Sequence, residues 1–229
     1  MSILDKITVI PFDVTQYFQD VTTKQQIYVH HTAGNPDPYS VVKWWASTTD
    51  RVATSFIVGR TPTTKTPNWK DGDILQCYGT EKWAHHLGLK AVHTAAGGKG
   101  AKSNLTLNQG SVGIEVCSWG QLTKGPKGFV SYVGTVVADD EVQEYTAPFR
   151  GYTYYQKYTQ AQIDNVGELL SFLTTKWNIP KEYKGDQIFD IDVRALRGEP
   201  GIYTHVSVRP DKNDCHPQPE LISMLKSID

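Results

Sequence analysis

Apolar residues recur at every third or fourth position over residues 158–178, and this spacing predicts a long amphipathic helix. Thr159 stands just before the periodic stretch, where a threonine side chain makes a favourable N-cap. A shorter stretch of the same kind predicts a helix over residues 39–48, in which Trp44 and Trp45 are expected to face the core. The apolar positions of the longer helix are Ile163, Val166, Leu169, Leu170, Leu173 and Trp177.

Stretches rich in β-branched and aromatic residues predict strands at residues 25–32, 51–60, 73–78 and 111–119. Residues 120–157 are predicted to form an insertion that contains a β-hairpin, and residues 1–24 are predicted to form an N-terminal extension. Strands with helices before and after them are typical of an α/β fold. We therefore expect a central mixed β-sheet flanked by helices, within one domain over residues 25–229 that carries the insertion.

Composition and charge narrow the classes of function. The 229 residues are 39% hydrophobic and 11% aromatic, which favours a folded globule, and the net charge of −1 argues against a nucleic-acid partner. No apolar run approaches the roughly 18 residues of a membrane span, so we expect no membrane insertion. The first residues, MSILDKITVI, lack a sustained apolar run, so we expect synthesis in the cytoplasm without a signal peptide.

The cysteines point to a reducing compartment. The chain has three, none of them in a CxxC pair, which argues against a disulfide framework. Cys77 and Cys117 lie in strand-like stretches and are expected to be buried thiols. Cys215 differs, because it lies among metal-ligating residue types in the proline-broken stretch 204–220.

Histidines at two distant places suggest a metal site. His30 and His31 end the first predicted strand, where successive side chains point to opposite faces, so only one of them can face a given cleft. One of these histidines with His205 and Cys215 would provide two nitrogens and a thiolate. Three protein ligands with an open fourth position are typical of catalytic zinc, and the thiolate disfavours Mg²⁺ and Ca²⁺.

Three motifs occur along the chain in a specific order: VHHTAG, NQGSVGIEV, and a histidine followed by a lysine and a cysteine in H-x₆-K-x₂-C. Together they resemble the zinc-dependent N-acetylmuramoyl-L-alanine amidases, the amidase-2 or peptidoglycan-recognition fold. The resemblance covers roughly residues 25–118 and 158–225. It implies an enzyme that uses Zn²⁺ to cleave the amide between N-acetylmuramic acid and L-alanine in peptidoglycan.

The resemblance also implies a ligand set. His30 corresponds to the first zinc ligand and His205 to the second, whereas His31 would point to the other face. We expect Cys215 to be the third ligand, because zinc has a high affinity for thiolates. Asp214 competes for this role, since the family's lysine commonly stands two residues before the last ligand, and Lys212 stands two residues before Asp214.

Further roles follow from the same resemblance. Glu115 in SVGIEV takes the place of the glutamate that acts as general base; some relatives use a tyrosine instead, but the matching position here is near Thr54. Lys212 corresponds to the lysine that stabilises the developing oxyanion. His86, in EKWAHHLG, corresponds to a histidine that contacts substrate, although a half-buried, hydrogen-bonded histidine is an equal alternative.

Aromatic residues and the biological role complete the prediction. Trp83 and Trp119, with residues 149–152, are candidates for a sugar-binding groove.

We expect a monomeric phage endolysin that a holin releases to the cell wall. The alternatives are a cytosolic muropeptide-recycling amidase and a non-catalytic peptidoglycan-recognition module; the latter would lose a zinc ligand, whereas this chain retains candidates for all three.

Overall fold

The computed structural model describes residues 2–228, which form eleven β-strands and seven α-helices. The strands are β1 (Ile7–Val9), β2 (Gln26–His31), β3 (Phe56–Val58), β4 (Ile74–Gln76), β5 (Ser111–Val116), β6 (Gln121–Gly125), β7 (Gly128–Val130), β8 (Val136–Val137), β9 (Val142–Phe149), β10 (Tyr152–Gln156) and β11 (Gly201–Thr204). The helices are α1 (Ile3–Lys6), α2 (Pro38–Ala46), α3 (Ala91–Ala95), α4 (Asn104–Gln109), α5 (Gln160–Trp177), α6 (Val193–Leu196) and α7 (Pro219–Lys226).

The central sheet has six strands in the order β1-β4-β3-β5-β2-β11. Only the β3–β4 pair is antiparallel among these neighbours, so the sheet is mixed. Helices pack against it, and the predicted α/β fold with a central mixed sheet flanked by helices is confirmed.

Two neighbouring interior strands, β2 and β5, are buried along nearly their whole length. Such burial is expected for strands covered on both faces, which favour continuous apolar runs over strict alternation. Helix α5 covers one face with the predicted apolar stripe. Its first turn is capped by Thr159, whose hydroxyl oxygen accepts the N–H of Gln162 at 3.1 Å, and it ends at Asn178 in a left-handed conformation.

A second sheet occupies the segment predicted as an insertion. It is antiparallel, with the strand order β8-β7-β6-β10-β9, and it contains the predicted β-hairpin, since the consecutive strands β6 and β7 pair antiparallel. Leu122, Phe129 and Val137 form a small apolar core of its own.

The residues before β2 contribute to the same packing as the central sheet. Strand β1 pairs with β4 at the edge of that sheet. Phe12 is buried against Trp45, and the Phe18 ring stacks on Trp83 with 3.8 Å between ring centroids. Within residues 2–228, no helix combines the length and apolar character needed to cross a membrane.

Candidate metal centre and catalytic cleft

The candidate site lies where the parallel strands β2 and β5 end. His30 and Glu115 are paired residues on these two strands, so their side chains emerge on the same face of the sheet. They line a cleft of about 480 Å³ together with residues from the loop that follows β11. Crevices at the carboxyl ends of parallel strands are common ligand sites in α/β folds.

Three metal-ligating side chains converge in this cleft. His30, His205 and Asp214 are all buried, and one potential ligand atom from each lies within 4.8 Å of the others. Asp214 Oδ2 is 2.9 Å from His205 Nδ1 and 3.3 Å from His30 Nδ1. Ligands of tetrahedral zinc stand about 3.4 Å apart, given zinc–nitrogen and zinc–oxygen bonds of about 2.0–2.2 Å. The spacing therefore suits a small divalent cation.

Hydrogen bonds determine which nitrogen of His30 faces the carboxylate. The hydroxyl of Ser111 donates to the Leu107 carbonyl at 2.6 Å, so its oxygen accepts the Nε2–H of His86 at 2.9 Å. His86 Nδ1 then accepts the Nε2–H of His30 at 3.0 Å. The neutral His30 ring consequently presents the lone pair of Nδ1 to the metal position, as a metal-ligating histidine does.

His205 also directs its Nδ1 toward the carboxylate of Asp214. Its Nε2 lies 3.0 Å from the carbonyl oxygen of Leu87, which can only accept, so Nε2 carries a proton. In neutral His205, Nδ1 is therefore also a lone-pair atom. Two lone-pair nitrogens that face one carboxylate repel it unless a proton or a cation lies between them, so this donor set fits a bound metal ion.

The pKa values of the site agree with neutral imidazoles beside an ionised carboxylate. Burial, with the neighbouring imidazole of His205, lowers the pKa of His30 to about 4, and burial also holds the pKa of His86 well below its usual range. Burial alone would raise the pKa of Asp214, but the charges and hydrogen bonds of His205 and His30 outweigh it and hold this pKa well below the usual range. The carboxylate and neutral imidazoles are the forms that bind zinc.

The structure does not support Cys215 as the third ligand. Its side chain is fully buried in the apolar core, and its sulfur lies 3.0 Å from the hydroxyl oxygen of Tyr158. Burial raises the pKa of the thiol far above its usual range, so it is not the thiolate that binds metal. Asp214, the competing residue, takes the position beside the two histidines instead.

Glu115 and Lys212 both line the cleft, and both are half-buried. Burial raises the pKa of Glu115 well above its usual range; the negative charge of Asp214 adds to this increase, whereas Lys212 opposes it. A metal ion at the three ligands would add positive charge and lower this pKa again. A carboxylate with a raised pKa and a nearby cation are groups suited to proton transfer and charge stabilisation.

His86 and His31 differ in their surroundings. His86 lies at the cleft, but both its ring nitrogens are used by His30 and Ser111, so its contacts are those of a residue that orients His30. Gly113 lies against this ring, and a Cβ there would come within 3.2 Å of His86 Nδ1 and 2.7 Å of Thr54. His31 takes the other direction, as strand alternation predicts, with Nδ1 2.9 Å from the Tyr158 hydroxyl.

The tryptophans follow the sequence prediction only in part. Trp45 is buried as expected, but its neighbour Trp44 is 62% exposed and lines the cleft. Trp83 is buried under Phe18, and Trp119 packs against the core of the second sheet, which argues against both as walls of a sugar groove. Of residues 149–152, only Tyr152 lines the cleft.

Two contributors to the site were missed at the sequence level. Ser111 stands two and four residues before Gly113 and Glu115, so strand alternation carries all three on one face, and this spacing was an available signal. Tyr158 carries no such signal, because its partners Cys215 and His216 lie in a loop far away in sequence.

Comparison with known proteins identifies the family. Residues 20–219 match the Amidase_2 family, described as N-acetylmuramoyl-L-alanine amidase. The match spans most of the chain, and the protein belongs to this family of amidases that act on peptidoglycan. No curated protein matches the chain in sequence.

Solved structures share the fold. PlyL aligns with a TM-score of 0.53 and 16% identity, over 97% of this chain and 98% of PlyL. The amidase AmiD from E. coli, in complex with anhydro-N-acetylmuramic acid-L-Ala-D-gamma-Glu-L-Lys, aligns with a TM-score of 0.51 and 17% identity, over 88% of this chain and 57% of AmiD. These likenesses establish the same architecture at low sequence identity.

Proposed function

We propose that this amidase is a zinc enzyme in which His30, His205 and Asp214 hold the metal and Glu115 acts as general base. The observation that carries the proposal is the convergence of one nitrogen from each of two imidazoles and one carboxylate oxygen within 4.8 Å of one another. Glu115 lies next to them, because it is paired with His30 across strands β2 and β5. Zinc, when bound, lowers the pKa of water and polarises the scissile carbonyl. The substrate in the AmiD complex, a muramic acid linked to L-Ala, is the kind of amide that we expect this chain to cleave.

The protein side chains would then move one proton and stabilise one charge. The Glu115 carboxylate accepts a proton from the attacking water as the oxygen bonds to the carbonyl carbon. The Lys212 ammonium stabilises the negative oxygen that develops on that carbon. Glu115 then gives its proton to the amide nitrogen, the C–N bond breaks, and the products are a lactyl carboxylate on muramic acid and a free amine on L-alanine.

Incubation with purified peptidoglycan tests this function. Zinc-loaded protein is expected to release stem peptides that begin with a free L-alanine amine, and a chelator is expected to stop the release. Glu115→Gln is expected to lower kcat by about 10²–10⁴-fold with unchanged zinc content, since the general base is lost and the ligands remain. Absence of release from every wall type by the zinc-loaded protein would refute the proposal.

We also propose that the enzyme is a phage endolysin that depends on a holin to reach the wall. The competing role, muropeptide recycling in the cytosol, requires soluble fragments as substrates. Faster hydrolysis of intact sacculi than of soluble anhydromuropeptides, with lysis of cells only when a holin is coexpressed, is expected for an endolysin. The reverse preference, without lysis, would favour recycling.

A further inference from the structure

A second groove continues from the catalytic cleft between helix α2 and the second sheet. It has a volume of about 540 Å³, and Trp44 and Tyr132 are among the residues that line it. Glu115, Thr32 and Ala33 line both the cleft and this groove, so the two spaces meet at the proposed general base. We refer to the part lined by Trp44, Tyr132, Asn35 and Ser40 as the aromatic groove.

The two aromatic side chains are unusually exposed for their type. Trp44 is 62% exposed and Tyr132 is 67% exposed, whereas Trp45, the next residue on α2, is buried against Phe12. Large apolar side chains usually lie inside a protein, so a pair of exposed rings on one concave surface indicates a ligand site. The aromatic faces suit a ligand with flat apolar faces of its own.

The Tyr132 wall is held by a defined turn. Tyr132 lies between β7 and β8, where the Ser131 N–H donates to the Thr135 carbonyl at 2.9 Å. The Gly134 N–H donates to the Ser131 carbonyl at 2.9 Å, and the Ser131 hydroxyl accepts the Thr135 N–H at 3.1 Å. The ring is therefore presented on an ordered turn, which lowers the entropy cost of binding a ligand.

The other lining groups are neutral and polar. Asn35 Oδ1 accepts the Asp37 N–H at 3.0 Å and the Ser40 hydroxyl at 2.8 Å, which fixes the side-chain amide. Its Nδ2 donates no hydrogen bond within the described part of the chain, so it is available to a ligand. The Ser40 oxygen retains acceptor capacity beyond the hydrogens it donates. Exposed rings with neutral donors and acceptors match a sugar, whose C–H faces are apolar and whose edges carry hydroxyl and acetamido groups.

The aromatic groove and the catalytic cleft differ in the charge of the residues that line them. Among the described residues that line the aromatic groove, none is a lysine, arginine or histidine. The catalytic cleft, in contrast, is lined by Lys212 and several histidines. The stem peptide of peptidoglycan carries carboxylates, for which cationic partners are favourable, whereas the glycan strand consists of N-acetylated sugars that need none. The neutral groove therefore suits the glycan.

We propose that Trp44 and Tyr132 bind an N-acetylated sugar ring of the glycan strand, next to the amide that is cleaved. This inference rests on the proposed function, because the groove is assigned by its continuity with the catalytic cleft. Both rings are specificity residues: they select a substrate that still carries its glycan strand.

A binding experiment without catalysis tests this assignment. The zinc-loaded Glu115→Gln protein is titrated with a peptide-free tetramer of β-1,4-linked N-acetylglucosamine, and binding is followed by NMR or calorimetry. Trp44→Ala and Tyr132→Ala in this background are each expected to weaken binding about tenfold, the effect of roughly 1.4 kcal/mol. Val133→Ala is the matched control, since Val133 lies on the same turn, is 57% exposed and does not line the groove.

Two results would overturn the inference. One is no binding of the tetramer at millimolar concentration, or binding that Trp44→Ala and Tyr132→Ala leave unchanged. The other is that Trp44→Ala and Tyr132→Ala weaken binding of the free stem peptide and leave binding of the tetramer unchanged, which would assign the groove to the peptide. Because the titration requires no hydrolysis, either result leaves the amidase assay on peptidoglycan as a separate test of the proposed function.

Discussion

The sulfur of Cys215 lies 3.0 Å from the hydroxyl oxygen of Tyr158. This hydroxyl is within hydrogen-bond distance of two further groups. The same oxygen accepts the backbone N–H of His216 at 3.1 Å and lies 2.9 Å from Nδ1 of His31. Tyr158 thus connects the segment that follows Asp214 to strand β2. Cys215 contacts Tyr158 and so helps to hold the loop in place. Asp214, one residue earlier, faces the two histidines.

Substitutions at the two competing positions are expected to have opposite effects on zinc. Asp214→Asn removes the anionic ligand and is expected to lower zinc affinity by more than about 100-fold, beyond the effect of changing an outer partner. Cys215→Ser is expected to retain zinc, because the sulfur points into the core. Zinc per protein after dialysis against a competing chelator measures both effects. Retention of zinc by Asp214→Asn with its loss from Cys215→Ser would restore the cysteine as ligand.

Replacement of His86 is expected to weaken metal binding more than substrate binding. His86→Leu removes the acceptor for the Nε2–H of His30, so the orientation of that ligand is lost, and zinc affinity is expected to fall about 10–100-fold. His85→Leu, at the adjacent position, is the control and is expected to retain zinc. A rise in KM with unchanged zinc affinity would instead indicate that His86 contacts substrate, as the family resemblance implies.

Removal of the Tyr158 hydroxyl is expected to loosen the loop that carries Asp214. Tyr158→Phe leaves the buried N–H of His216 without its acceptor, which costs about 1–3 kcal/mol of stability, and zinc affinity is expected to fall as well. Tyr203→Phe is a matched control, since its buried hydroxyl donates to the Glu199 carbonyl at 3.1 Å, away from the loop. Equal zinc affinities in two variants with similar losses of stability would contradict a role for Tyr158 in positioning Asp214.

Lys24 is expected to make stability depend on alkaline pH. Its side chain is buried, with Nζ 2.7 Å from both Thr22 Oγ1 and the Gln109 carbonyl, and burial lowers its pKa to about 7, although Glu81 opposes the decrease. The unfolded lysine keeps its proton up to a pH of about 10.4, so between these values the unfolded state binds more protons. The free energy of unfolding should therefore rise with pH in this range, by up to about 1.4 kcal/mol per pH unit.

Urea unfolding of the wild type and Lys24→Met from about pH 7.5 to about pH 9.5 measures this contribution. The difference between the two proteins isolates it from the cysteines and tyrosines, which titrate in both. Lys24→Met should remove the rise and be relatively most stabilising at the lower end of the range. Lys226→Met, at an exposed position, is the control for loss of a lysine. Identical slopes in wild type and Lys24→Met would contradict the prediction.

Local sequence patterns were sufficient to predict the helix and strands that position most of the candidate site. The period of apolar residues determined α5, and strand alternation in VHHTAG separated His30 from His31. Each of these features depends on a backbone period of 3.6 or 2 residues. The family resemblance singled out Glu115, and the pairing of β2 with β5 places it on the same face as His30. The order of the three motifs, through the family resemblance, also indicated the enzyme class that the family match confirms.

Other features were decided by contacts between distant segments. One example is the pairing of the predicted hairpin into a five-stranded sheet. Another is the exposure of Trp44, which lines the groove while its neighbour Trp45 is buried against Phe12. The third metal-ligating side chain is the sharpest example. In the loop around Asp214 and Cys215 no backbone period applies, and the loop places the carboxylate toward His30 and His205 while Tyr158 holds the sulfur in the core. The sequence by itself offered two candidate ligands at adjacent positions, and only the tertiary structure decided which of them faces the two histidines, because side-chain direction in an irregular loop is set by its long-range partners.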